Sequence, residues 1–185
     1  MIQGKQGINS EQKQPAQTNK LLREEYNPDV LYSKVMHFIN NNNIYGANVK
    51  MVVWLLYHTG ARISEILRLK SSDITKDYFV KINAVKGSRS RIVKVPMPPF
   101  KVLINHNLDY YLFPELSRFY MYRVCRSYGL QLQVAGQRKK SVTHAFRHNY
   151  ASQLLKLQTS ENLAGRSLGH KSNNSILSYA KKKGE

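Results

Sequence analysis

Apolar positions recur at helical spacing soon after residue 27. Val30, Leu31, Val35, Phe38 and Ile39 fall on one stripe. Asn27-Pro28-Asp29 ahead of them reads as a helix start: a capping side chain, proline at the first helical position, then an acid near the positive end of the dipole. A second helix is expected over 47–58, largely apolar through Val49, Val52, Val53, Leu55 and Leu56, with Gly60 ending it in a left-handed conformation. A third opens near Arg62, with Ile63, Ile66 and Leu67 on one face. The period then changes to two. Residues 78–82 (YFVKI) and 91–95 (RIVKV) read as short strands, and Lys86-Gly87-Ser88-Arg89-Ser90 between them as a basic hairpin tip. Pro96, Pro98 and Pro99 end the sheet. Helical patterning returns over 115–127, 143–156, 161–166 and 174–182. The pattern predicts a mainly α chain with a small antiparallel β-sheet, an α+β class.

Composition narrows the function. The 185 residues carry 29 Lys+Arg against 11 Asp+Glu, a formal charge of +18. Such a balance points to a polyanion: DNA, RNA or an anionic membrane surface. No run approaches the ~18 apolar residues of a membrane span. One cysteine, Cys125, excludes a disulfide framework and a cysteine-rich zinc site. The length suits one domain able to bury about 70% of its unfolded surface. Residues 1–25 are polar and rich in Gln and Asn, and read as a flexible tail or linker without a secretory signal. The expected domain is therefore 26–185, in a reducing intracellular compartment.

Four places concentrate polar residues beyond what helix and strand logic require. In TGARISEIL, residues 59–67, Arg62 stands at a helix N-terminus, where the dipole disfavours a cation. It can point at an external anion, with Glu65 one turn on to orient it; the plain alternative is a solvated local pair. In the tip VKGSRSR, residues 85–91, Lys86 can enter a DNA groove or donate a proton, or the basic residues can simply protect a sheet edge. In RKKSVTHAFRHNYASQLL, residues 138–155, Thr143 can cap a helix that places His144 and Arg147 on one face. That pair suits a phosphodiester, with guanidinium contacts beside a titratable imidazole, and a metal site is disfavoured for want of well-spaced ligands. A solvated basic face is the alternative. In SLGHKSNNSILSYAKKK, residues 167–183, His170 lies in a Leu-Gly-His turn nine residues before Tyr179. Tyr179 by itself reads as the anchor of a C-terminal helix.

The ordered set is more specific than any member. Over about residues 27–183 the chain resembles the catalytic domain of the tyrosine recombinases, or phage integrases. The resemblance rests on TGARISEIL, Lys86 before Gly87, the box His144-Ala145-Phe146-Arg147-His148, the turn Leu168-Gly169-His170, and Tyr179 placed 32 residues after Arg147. Phe146 departs from the commoner leucine. The chain ends six residues after Tyr179, and the upstream DNA-clamping domain usual in the family is absent from the expected organisation.

The resemblance implies a tyrosine-recombinase catalytic-domain fold and a site-specific enzyme that cuts and rejoins DNA through a 3′-phosphotyrosyl intermediate, with no cofactor, metal or ATP. It implies Tyr179 as nucleophile, Arg62 and Arg147 as stabilisers of the phosphate charge, Lys86 as proton donor to the leaving 5′-oxygen, His144 as assistant in proton transfer, His170 as a phosphate hydrogen bonder, and Glu65 as support. Arg89, Arg91, Lys139, Lys140, Lys181, Lys182 and Lys183 are expected on backbone phosphates of double-stranded DNA. The implied partners are that duplex and further protomers in a synaptic tetramer, from a chain monomeric when free, with no membrane. Rival readings are type IB topoisomerase-like relaxation and an integrase-like DNA-binding module without turnover.

Overall fold

The computed structural model describes residues 28–41, 44–85, 88–130, 142–157 and 161–169. Among the described residues there are six helices and one two-stranded sheet: α1 (Pro28–Asn41), α2 (Ala47–Thr59), α3 (Ile63–Ile66), β1 (Phe79–Ile82), β2 (Arg91–Lys94), α4 (Arg118–Ser127), α5 (Val142–Lys156) and α6 (Glu161–Ser167). A 3-10 turn at Ser71–Asp73 precedes the sheet. This is the mainly α, small-sheet architecture that the residue pattern predicts.

Helix α2 is the centre. It is apolar nearly all round, and a helix of that kind has to be enclosed. Val52, Val53, Leu55 and Leu56 are fully buried. Helices α1, α3 and α5 pack around it, while α4 and α6 lie against α5. Phe38 of α1 meets Tyr128 after α4 edge to face, with centroids 4.9 Å apart. Phe146, where the box departs from leucine, is wholly buried in this core. Gly60 ends α2 at φ 57, the left-handed stop expected of it. A side chain there would also strike Tyr150, because a Cβ would stand 2.8 Å from the Tyr150 Cβ.

The strands pair antiparallel with Val80 opposite Val93 and Ile82 opposite Arg91. Alternation divides them cleanly. Val80, Ile82, Arg91, Val93 and Val95 face inward, and Phe79, Lys81, Ile92 and Lys94 face outward. The Trp54 indole donates to the Pro96 carbonyl at 2.9 Å and fastens the sheet's exit to α2.

Several boundaries differ from those the periodicity predicts. Helix α4 starts at Arg118, later than residue 115, because Ser117 caps it by accepting from the Tyr120 N–H. Thr143 lies within the first turn of α5, which opens at Val142, so it does not precede the helix as a cap. The first 27 residues and the helix expected over 174–182 fall outside the described residues. No helix among the described residues is long and apolar enough to cross a membrane.

Candidate active site

Three backbone turns converge at one end of the core, and two buried guanidiniums hold them together. The first turn joins α2 to α3 and carries Arg62. Arg62 is the N-cap residue of α3, in extended backbone. Its N–H donates to Glu65 Oε2 at 2.9 Å, and its Nη1 lies 3.3 Å from Glu65 Oε1. The pair expected from the three-residue spacing therefore forms. The Arg62 side chain keeps 40% exposure while the Glu65 side chain has none. The guanidinium is thus steered by a buried carboxylate yet reachable from solvent.

One of the two buried guanidiniums belongs to Arg147, the fourth residue of the box on α5. It is buried. Its Nη1 donates to the Gly60 carbonyl at 3.1 Å, and its Nη2 donates to the Leu168 carbonyl at 2.6 Å. One side chain thus spans the turn before Arg62 and the turn before His170. Gly169 itself sits at φ 69. Its carbonyl accepts from the Arg89 N–H at 3.0 Å, which brings the hairpin's descending strand to the same place.

Arg91 corrects one expectation. Its place in the basic tip suggested an outward residue on a DNA phosphate. Its side chain is only 5% exposed, and its Nη2 lies 3.0 Å from Glu65 Oε2. The reason is strand alternation: Arg91 shares the inward face of β2 with Val93. A buried guanidinium requires a partner, and Glu65 provides it. Arg89, by contrast, is exposed. The signal for Arg91 was present in RIVKV, where positions 91, 93 and 95 form one face, but a run of basic residues disguised it.

The carboxylate is held in its charged form. Burial pushes Glu65 upward. The Arg91 charge, the Arg62 backbone N–H and hydrogen bonds from Arg91 and Ser88 outweigh that, and its pKa lies below the usual carboxylate value. Tyr150, packed above Gly60, is raised by burial, with the Arg91 charge acting the other way. Ser88, Gly60 and Leu168 fall inside the motifs that the sequence singles out, but residue type gave none of them a role in the site. The last two act through carbonyls, which no residue type advertises.

Arg62, Glu65, Arg147 and the backbone of the Leu168-Gly169 turn are thus brought together. Lys86, His170 and Tyr179, and the basic residues Lys139, Lys140, Lys181, Lys182 and Lys183, lie outside the described residues. His144 is placed on α5 as its third residue, in the first turn of that helix. Among the described residues no group of three or more His, Cys, Asp and Glu side chains gathers as a metal cage would.

Known proteins are similar to this chain in sequence and fold. Residues 29–185 match the family model described as the phage integrase family. Tyrosine recombinase XerA of Pyrococcus furiosus is 27% identical over 146 residues, covering 71% of this chain and 49% of that protein. Tyrosine recombinase XerH of Campylobacter jejuni is 28% identical over 144 residues, covering 70% of this chain and 40% of that protein. The chain therefore spans about half the length of the curated relatives it matches. A crystal structure of XerH bound to a palindromic difH substrate, a post-cleavage complex, superposes with a TM-score of 0.59 at 23% identity, covering 84% of this chain and 49% of that one. A family-model match over residues 29–185 makes this chain a member of the phage integrase family.

Proposed function

We propose that this chain supplies the strand-cutting and rejoining centre of a site-specific DNA recombinase. The observation that carries the reading is the double clamp of Arg147 on the Gly60 and Leu168 carbonyls. It gathers Arg62, Arg147 and the residues leading to His170 into one cationic corner. Such a corner suits a phosphodiester, whose attack by a nucleophile builds charge on the non-bridging oxygens. Guanidiniums keep their charge at every working pH and offer fixed forks of donors. Preset carbonyl and carboxylate contacts mean that little reorganisation is needed when the phosphate arrives.

In this reading Tyr179 attacks the phosphorus and forms a 3′-phosphotyrosyl bond. The P–O bond to the 5′-oxygen breaks, and Lys86 gives that oxygen its proton. His144 assists proton transfer from Tyr179, and His170 hydrogen-bonds the phosphate. The ester keeps the bond energy, so rejoining by a 5′-hydroxyl needs neither ATP nor metal. The exposed Arg89 and the lysines at 139, 140, 181, 182 and 183 contact backbone phosphates of the duplex. Six to ten such contacts lower affinity by about 10³–10⁵ between roughly 50 and 200 mM salt. The recombining unit is a tetramer of such protomers across two duplexes.

The test uses a nicked suicide duplex drawn from the sequences flanking the gene. The expected product is a denaturation-resistant protein–DNA adduct that mass spectrometry maps to Tyr179. Tyr179→Phe should abolish the adduct and leave duplex binding within twofold. An adduct surviving that change would assign attack to another residue. Relaxation of a supercoiled plasmid without strand exchange between two sites would favour topoisomerase-like action. Duplex binding with no adduct would favour a binding module.

A further inference from the structure

We propose that Arg91 is a positioning residue of the phosphodiester site: it takes up the charge of Glu65 and anchors the turn at Gly169, so that Arg62 stays cationic toward a phosphate. This rests on the functional reading above. Two guanidiniums share one carboxylate here, which leaves the triad a net charge of +1. The sharing is unequal. Arg91 lies 3.0 Å from Glu65 with both side chains buried, whereas Arg62 lies 3.3 Å away and is 40% exposed. The shorter pair in the drier surroundings interacts more strongly. Glu65 therefore guides Arg62 by geometry without cancelling its charge. Arg91 also reaches the Leu168-Gly169 turn. A Cβ on Gly169 would stand 2.6 Å from Arg91 Nη1, so the guanidinium lies directly against that turn. Its Nε and Nη1 are buried and find no acceptor among the described residues.

Among the described residues the groups facing Glu65 are Arg62, the Ser88 hydroxyl and Arg91, and Tyr150 of α5 senses the Arg91 charge. Without Arg91, burial would raise the Glu65 pKa, and while ionised Glu65 would neutralise Arg62. Two measurements on the full chain test this. The first is amide hydrogen exchange in Arg91→Met. The Arg89 amide, bonded to the Gly169 carbonyl, should exchange at least tenfold faster, with Val52 and Leu55 of α2 unchanged. The second is single-turnover adduct formation on the suicide duplex. Arg91→Met should be at least 100-fold slower than the parent at pH 8 with duplex affinity within threefold. That deficit should shrink as pH falls and Glu65 takes a proton, because burial raises the Glu65 pKa once the Arg91 charge is gone. Arg91→Lys, which keeps the charge, should stay within tenfold of the parent. Arg91→Met combined with Glu65→Gln removes both buried charges, folds if the single variant does not, and should recover at least tenfold over Arg91→Met or, where that does not fold, stay within tenfold of the parent.

Unchanged exchange at Arg89, or a rate deficit that does not vary with pH, overturns the proposal. If the parent itself forms no adduct while Arg89 exchange responds as expected, the functional reading fails and the anchoring of the turn stands.

Discussion

The Nη2 of Arg147 donates to the Leu168 carbonyl at 2.6 Å, while Nη1 of the same guanidinium takes the Gly60 carbonyl. One buried side chain on α5 thereby locks two turns that lie 108 residues apart in the chain. Arg147→Lys keeps the charge but has no fork to reach both carbonyls. It should lower stability by about 1–3 kcal/mol and slow adduct formation at least 100-fold. Denaturant midpoints and single-turnover rates check this. A variant with normal rate and stability would show that the two bonds do not matter.

Gly169 and Gly129 adopt nearly the same left-handed backbone, φ 69 and φ 61, in different surroundings. A Cβ at 169 would stand 2.6 Å from Arg91 Nη1 and 2.8 Å from the Arg89 carbonyl oxygen; at 129 the nearest atom is Lys34 Nζ, at 3.9 Å. Both alanine variants carry backbone strain of about 1–2 kcal/mol. Gly169→Ala should cost roughly 1–3 kcal/mol more, from overpacking against backbone. Thermal or urea unfolding of the two variants gives the difference, and equal losses would mean that the 169 turn yields easily.

His58 packs on Trp54, with ring centroids 4.1 Å apart, and burial lowers its pKa from 6.5 to about 4. The unfolded chain takes up this proton near pH 6.5, while the native chain resists it until about pH 4. Stability must therefore fall as pH drops across that window and level off below it. Allowing for partial exposure, the loss is about 1–3 kcal/mol. His58→Phe should flatten the urea-midpoint profile between pH 7 and 4.5. Glu65 acts in the same direction in a lower window, because its native pKa is depressed: its contribution is present above the unfolded carboxylate value and is lost as pH falls through the native one.

Cys125 is buried, and burial pushes its thiol up to about 12. The thiolate is the reactive form. A thiol reagent at pH 8 should therefore label the native chain far more slowly than the unfolded one, and labelling should track unfolding. Rapid labelling of the native protein would show that the core around α4 opens locally.

The amino-acid sequence by itself determined most elements and the chemistry of the site residues. Helical spacing located α1, α2 and α5. Gly60 announced its left-handed stop, because few other residues tolerate that conformation. Thr143 misled as a cap, since a hydroxyl near a helix start occupies a first-turn position as readily as the cap. The ordered arginines and their boxes identified the family before any contact was known.

Tertiary structure alone decided which basic side chains turn inward and which backbone atoms they meet. Arg89 and Arg91 read alike in a basic hairpin, yet Arg91 stands inside β2 on its inward face, beneath α3 where Glu65 waits, while Arg89 precedes the strand and is exposed. Glu65 in turn reads as the local partner of Arg62, and only the approach of β2 gives it a second, closer cation. The carbonyls of Gly60 and Leu168 are chemically identical to every other carbonyl in the chain. Packing of α2, α5 and α6 is what turns them toward Arg147, because burial leaves a guanidinium no water to bond and makes it seek acceptors in the protein.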